Sequence, residues 1–536
     1  MRRRSALLAA FLLVALPATA QDYKLTLLHT NDVHSRLQPI NRFGSTCTAK
    51  EEAEKQCFGG VARISWKARE QWGLARAEGR EVLFVDGGDQ FQGSLFYTHY
   101  RGREVALLMP LMGYHAMAVG NHEFDNGPGV LADMIKAMPS IPVLSANTDA
   151  SRDNALAGLI RSHVVFERGG RKIAVVGYTT EDTAIVANPG PMVAFQRIED
   201  ALGPLVRRLR AEGAHHVIAI SHSGLVRDSE VARAVEGIDA IVGGHSHTLL
   251  GNGHTSAAGP YPVIVKSPSG RDVPIVQAAA YSQYLGRLDL TFDAAGKLTG
   301  WGGNTLLLDH QVPEDPLIKA QVEILAKPLE AVRTKVVGRL DAPLGGDREG
   351  CRRAECTIGN FVADAILWKM KPRGVELALQ NGGGLRAGLN AGPVTMGDVL
   401  TVLPFQNAIA TLKLSGADLL AALESGVSEI EKSAGRFPQV AGLRYSFSWS
   451  KPPGERLLKV EVHEVDGAYM PLDPERIYMV ATNDFMRRGG DGYAVLRERA
   501  IAAYDYGPGL EDTAIEYLEH LGGAPVALDG RIQAID

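Results

Sequence analysis

Long apolar runs are scarce in this 536-residue chain. After residue 16 none approaches the roughly 18–20 residues that a membrane-spanning helix needs, so no membrane span is expected. Neither sign of charge prevails: 56 Lys and Arg stand against 61 Asp and Glu, a formal net charge of −5. A nucleic-acid binder would be basic, so no nucleic-acid polymer is expected as a partner. Cysteine is rare, at four residues, and neither local pair has the C-x-x-C spacing of a redox motif. Gly and Pro follow no period and 45% of residues are hydrophobic, which excludes a collagen-like or disordered chain. Histidine nearly vanishes after residue 310: of fifteen, only His463 and His520 lie beyond it, so imidazole chemistry belongs to the first half. There is no internal repeat and no low-complexity tract.

What is present begins with an export signal. Arg2-Arg3-Arg4 forms a basic start, residues 5–16 an apolar stretch too short to span a bilayer, and Ala18-Thr19-Ala20 a cleavage site. Residues 1–20 are therefore expected to be a signal peptide, and cleavage near Ala20 to give a periplasmic or secreted product. No Cys follows the cleavage site to carry a lipid, and Gly530 to Asp536 shows no hydrophobic tail for a glycolipid anchor. In an oxidising compartment the cysteines are expected as disulfides. Four allow three connectivities, of which Cys47/Cys57 with Cys351/Cys356 is the most economical.

At roughly 100–200 residues per domain, the length implies two or more domains. In the first 310 residues, short apolar strands end and polar residues follow at once. Lys24–Thr30 leads to Asp32 and His34, Glu81–Val85 to Asp86 and Asp89, and Ala116–Val119 to Gly120-Asn121-His122-Glu123. His216–Ile220 leads to His222, and Ile238–Val242 to His245 and His247. Helical patterns near 60–72, 101–112, 128–137, 197–211 and 228–236 alternate with them. The alternation predicts an α/β domain with a largely parallel sheet, whose ligands bind outside the carboxyl ends of the strands. Asp315 to Lys335 reads as one amphipathic helix. From about 340 the pattern predicts a separate α+β domain, with strands near 375–380, 409–414, 440–448, 457–464 and 477–482 and helices near 357–370 and 415–427.

Asp32, His34, Asp89, Asn121, His122, Asp125, His222, His245 and His247 offer oxygen and imidazole donors that suit a hydrolytic divalent metal site. Two cations roughly 3.5–4 Å apart can bring hydroxide to phosphorus and neutralise the phosphoryl oxygens, and Asp89 could bridge them. Any one of these residues alone is a weak signal; the conjunction of five strand ends is a strong one. Asp125 also has a structural reading as cap of the helix that Asn126-Gly127-Pro128 opens.

Asp32-Val-His34, Gly88-Asp89, Gly120-Asn121-His122-Glu123, His222 and Gly244-His245-Ser246-His247 resemble the ordered motifs of the calcineurin-like metallophosphoesterases. Asn381-Gly-Gly-Gly-Leu-Arg386, Leu403-Pro404-Phe405, and Phe485 with Gly489-Gly-Asp491-Gly extend the resemblance to the two-domain 5′-nucleotidase family. The resemblance implies a four-layer metallophosphoesterase-like catalytic domain at 21–310, a linker helix at 311–342 and an α+β nucleotide-binding domain at 343–536. It implies two divalent ions, of Zn, Mn, Co or Mg. Asp32, His34 and Asp89 would hold the first, with His247 at its outer side, a position often Gln or Asn in relatives. Asp89, Asn121, His222 and His245 would hold the second. The family pattern selects Asp89 over Asp86. His122 and Asp125 would form a catalytic dyad. Arg348, Arg352 and Arg386 would hold substrate phosphate. Asn381 would contact the base beside Gly383, Phe405 and Phe485 would clamp it, and Asp491 would accept ribose hydroxyls. The implied activity is removal of the 5′-phosphate of nucleotides by metal-activated hydroxide. Alternatives are a UDP-sugar hydrolase, a 2′,3′-cyclic-nucleotide phosphodiesterase, a sulfur-carrier hydrolase, or an inactive binding protein on this scaffold.

Overall fold

The computed structural model describes residues 22–41, 46–47, 49–405, 407–464, 467–504 and 507–536. The expected signal peptide lies outside the described residues. The first half holds two six-stranded sheets rather than one. Tyr23–Thr30, Glu81–Asp86, Ala116–Ala118 and Val143–Leu144 run parallel, and Tyr284–Phe292 and Leu298–Leu307 extend that sheet antiparallel. In the second sheet Arg171–Thr179, His216–His222, Ala240–Val242 and Asp272–Val276 run parallel, flanked by antiparallel His163–Arg168 and Val263–Lys266.

Period-two alternation decides which face each side chain takes. Leu83 and Val85 join Ile218 and Ile220 between the sheets. Val82 and Phe84 turn outward to the helices Val61–Ala77, Arg103–Met112 and Pro128–Ala137. Val217 and Ala219 turn to Ile198–Ala211 and Leu225–Ala234. The result is four layers, helix–sheet–sheet–helix. Because central strands are buried on both faces, they read as continuous apolar runs. Ile198–Ala211 shows why its own pattern was legible: Ile198, Leu202, Leu205, Val206 and Leu209 form one buried stripe.

The expected single helix from Asp315 to Lys335 is broken. Pro316–Ala326 is helical and capped by the Asp315 carboxylate, which accepts from Leu317 N and Ile318 N. A 3₁₀ turn, Lys327–Leu329, then separates it from Glu330–Arg333. Pro328 lacks the N–H that would continue the ladder. The segment packs on the first half through Ile318, Val322, Leu325 and Leu329.

In the second half a five-stranded sheet runs Pro438–Ala441, Leu377–Asn381, Ile477–Asn483, Ile409–Ser415, Ala502–Tyr504. A four-stranded sheet runs Tyr469–Pro471, Leu457–His463, Leu443–Phe447, Ile532–Ala534. The strand expected at 440–448 is therefore two strands in different sheets. Gly442 makes the corner at φ 76°, where a Cβ would lie 2.3 Å from the Glu376 carbonyl oxygen. Thr357–Met370 and Leu510–Leu521 share one core, and Gly416–Val427 packs into another. Both local disulfides are formed, Cys47–Cys57 and Cys351–Cys356. No helix among the described residues is long and apolar enough to cross a membrane.

Candidate active site

The parallel registers align the strand ends, Thr30 beside Asp86 and His222 beside Thr179. The loops that follow therefore meet. They are tightly folded: Asp32, His34, Asp89, His245 and His247 all adopt left-handed backbone, with φ of 52°, 51°, 57°, 72° and 53°. Strain of this kind concentrates at functional sites. Gly120 is required there, since a Cβ would sit 2.1 Å from Asp89 Oδ1.

Two of the imidazoles are aimed by their far nitrogens. His34 Nδ1 donates to Phe91 O at 2.9 Å and His222 Nδ1 to Gly87 O at 2.7 Å. Both Nε2 lone pairs then point inward, an arrangement typical of metal-ligating histidines. His222 Nε2 comes to 3.0 Å of Asp89 Oδ2, and His247 Nε2 to 3.1 Å of Asp32 Oδ1. His245 Nδ1 lies 2.9 Å from Asn121 Oδ1. Three donor sets emerge: Asp32, His34, His247; His34, Asp89, His122; and Asp89, His222, His245. Asp89 belongs to two of them.

These residues fit divalent cations. Asp32 and Asp89 are buried carboxylates, and His34 Nε2 and His247 Nε2 converge to 3.1 Å. His222 Nε2 is fully buried and turned to Asp89. The electrostatics agree. Burial opposes charge on His222, yet Asp89, Asp32 and Glu123 pull it up to about 10. Burial would raise Asp89, but His222, His122 and His34 hold it well below the usual carboxylate range. His34 moves the other way: burial and then the Arg386 guanidinium hold it well below the usual imidazole value.

His122 Nδ1 donates to Asp125 Oδ2 at 2.6 Å. The following helix, Pro128–Ala137, has Gly127 at its N-cap without a side-chain bond, so Asp125 is not its cap. Asp86 instead secures the turn, accepting from Gly88 N at 2.9 Å and Thr30 Oγ at 2.6 Å.

The second half forms the facing wall. Arg386 donates to His34 Nε2 at 3.0 Å and lies over the Phe405 ring at 5.8 Å. Phe405 stacks on His122, with centroids 5.7 Å apart. Arg352, from the turn that the Cys351–Cys356 bridge closes, is 8% exposed. Asn381 is more committed than the sequence suggests: its Nδ2 donates to Asp491 Oδ2 at 2.7 Å and its Oδ1 accepts from Asn483 at 2.8 Å. It holds Asp491 while still lining the cavity. Phe485 packs over Gly490. The side chain of Arg348 lies outside the described residues.

Between the walls is a cavity of ≈ 680 Å³. Asp89, Asn121, His122, Asp125, His245 and His247 line one side; Arg352, Asn381, Gly383, Arg386, Phe405, Phe485 and Asp491 line the other. Asp32, His34 and His222 are not part of its lining. Sequence reasoning missed the supports. Glu123 accepts the amide N–H of Asp89, Gln90, Phe91 and Gly120, clamping two loops together. Gln277 donates to Gly244 O at 2.7 Å and accepts from Ser246 Oγ at 2.9 Å. Glu123 was visible inside its motif; nothing local marked Gln277.

A model of the calcineurin-like phosphoesterases matches residues 25–249, and one of the 5′-nucleotidase C-terminal domain matches 336–498. A 5′-nucleotidase of Homo sapiens is 36% identical over 99% of this chain and 95% of its own length. A snake venom 5′-nucleotidase of Naja atra is 35% identical over 95% of this chain and 98% of its own. The crystal structure of a 5′-nucleotidase precursor from Thermus thermophilus superposes with a TM-score of 0.90 at 42% identity, covering 96% of this chain and 100% of that one.

Proposed function

The chain belongs to the 5′-nucleotidase family and is a metal-dependent phosphoric monoester hydrolase acting on nucleotides; from that premise we propose how its residues divide the work. Two divalent cations are held, one by Asp32, His34, Asp89 and His247, the other by Asp89, Asn121, His222 and His245. The observation that supports this reading is that Asp89 falls in one donor set with His34, which also belongs to that of Asp32 and His247, and in another with His222 and His245. When bound, such cations supply a nucleophile at neutral pH and neutralise phosphoryl charge.

The protein's own groups do the rest. Arg352 and Arg386 bind the phosphate, their planar guanidinium groups matching its oxygens in pairs. Phe405 and Phe485 stack the base, and Asp491, held by Asn381, accepts the ribose hydroxyls. Asp125 keeps the His122 proton on Nδ1, leaving Nε2 to exchange a proton or hydrogen bond with the reacting phosphate. Residues 21–310 and 343–536 act as catalytic and nucleotide-binding domains around a linker at 311–342. Export is supported by the basic, apolar and small-residue order of residues 2–20.

The test is phosphate release from AMP, GMP, UMP, ATP, UDP-glucose, 2′,3′-cyclic AMP and bis(p-nitrophenyl) phosphate, each with Mn²⁺, Co²⁺, Mg²⁺ and Zn²⁺. Nucleoside 5′-monophosphates should give the highest kcat/KM with at least one metal. A preference for the cyclic or diester substrates would overturn the assignment. The sulfur-carrier and inactive readings are not favoured by the relatives.

A further inference from the structure

Asp228 is a fully buried carboxylate on the helix Leu225–Ala234, and no role in the chemistry above uses it. Its Oδ1 accepts from Ser221 Oγ at 2.5 Å, Ser223 Oγ at 2.8 Å and Tyr178 OH at 2.8 Å. Ser221 and Ser223 are the immediate neighbours of His222, so these bonds grip the backbone on both sides of that imidazole. Tyr178 comes from the end of the adjacent parallel strand. The other oxygen, Oδ2, faces the turn that leads to His245. It lies 2.4 Å from where a Cβ on Gly243 would be, and it has no hydrogen-bond partner.

One side chain thus holds the strand end that carries His222 by hydrogen bonds and abuts the turn that runs into His245. Both histidines fall in a single donor set with Asp89. Tyr178, Ser221 and Ser223 converge on an acceptor that a carboxylate serves better than a neutral oxygen, since charge-assisted bonds are about twice as strong. Outer groups that orient metal-binding histidines typically control affinity by roughly 10–100-fold.

We propose that Asp228 is a positioning residue that fixes the spacing of His222 and His245 and thereby sets the affinity of the second cation position alone. The proposal rests on the two-cation reading given above.

Isothermal titration of the metal-stripped full chain with Mn²⁺ tests it. The wild type should show two binding steps. Asp228→Asn should weaken one step about tenfold, and Asp228→Ala by up to about 100-fold, while the other step stays within about twofold. The Co²⁺ absorption spectrum of the loaded protein should change in parallel at the weakened site. If Asp228→Ala does not fold, as judged by its melting transition, Asp228→Asn alone decides. Two unchanged steps in folded Asp228→Asn, or an equal fall in both, would overturn the positioning role. A wild type that binds no Mn²⁺, or only one ion, would instead refute the two-cation reading beneath it.

Discussion

His122 stands where three contacts meet: Asp125 on its Nδ1, Asp89 4.0 Å from its Nε2, and the Phe405 ring across the cavity. A proton-handling group in this position typically contributes roughly 10²–10⁴-fold to rate. His122→Gln should therefore lower kcat for AMP by about that factor and leave KM nearly unchanged, as measured by initial rates with metal in excess. A rise confined to KM would assign His122 to binding. The paired phenylalanines make the opposite prediction. Base stacking is worth roughly 1–3 kcal/mol per ring. Replacing both Phe405 and Phe485 with Ala should raise KM for AMP by about tenfold or more, with kcat less affected.

At this scale the sequence was informative because ligands stand beside strand ends. Asp32, Asp89 and His245 could be picked from short motifs. Asp86 and Asp89 looked alike from composition and only the family pattern chose between them; the folded turn gives the reason, Asp86 being spent on Gly88 N and Thr30 while Asp89 Oδ2 faces His222. The commitment of Asn381 to Asp491 was illegible, because its partners lie more than a hundred residues away.

Among the elements, the helix Arg103–Met112 carries a buried acid, Glu104, whose Oε1 accepts from Ser35 Oγ at 3.1 Å. Burial pushes its carboxyl up to about 7, against about 4.3 in an unfolded chain. In the folded chain it keeps its proton where the unfolded chain has lost one, so its contribution to stability falls as pH rises between those values and is level above them. Glu104→Gln removes that slope. The difference in urea midpoint between the variant and the wild type should shift in the variant's favour from about pH 4.5 to about pH 7 and then stay constant. A difference independent of pH would show that Glu104 is ionised in the fold.

Elements also explain what pattern reading missed. Tyr284–Phe292 alternates buried and half-buried residues over most of its length, a signal present in the sequence but hidden by the helix–strand rhythm expected of a parallel sheet. Gly442 and Pro328 were each visible, yet their effect on 440–448 and 315–335 depended on what the chain packs against.

For the whole molecule, the decisive feature is that the cavity has two owners. The turn Thr183–Val186 of the first half packs against Gly490–Gly492 of the second, the turn that carries Asp491. If turnover needs the halves to move apart, an engineered disulfide between these two turns should abolish phosphate release, and mild reduction should restore it. Unchanged rates in the cross-linked protein would show that substrate enters and product leaves without such movement. The four layers of the first half were foreseeable from its family resemblance. That a second wall would lie within bonding distance of the first was not, since no local pattern encodes how two halves meet.

The approach of Arg386 to His34 at 3.0 Å puts a cation of the second half on a nitrogen that the proposed metal site would use. A lone pair serves one electrophile at a time, so a guanidinium and a metal cannot share that nitrogen. The guanidinium that faces His34 thus stands where an anion drawn to the first wall would meet the second.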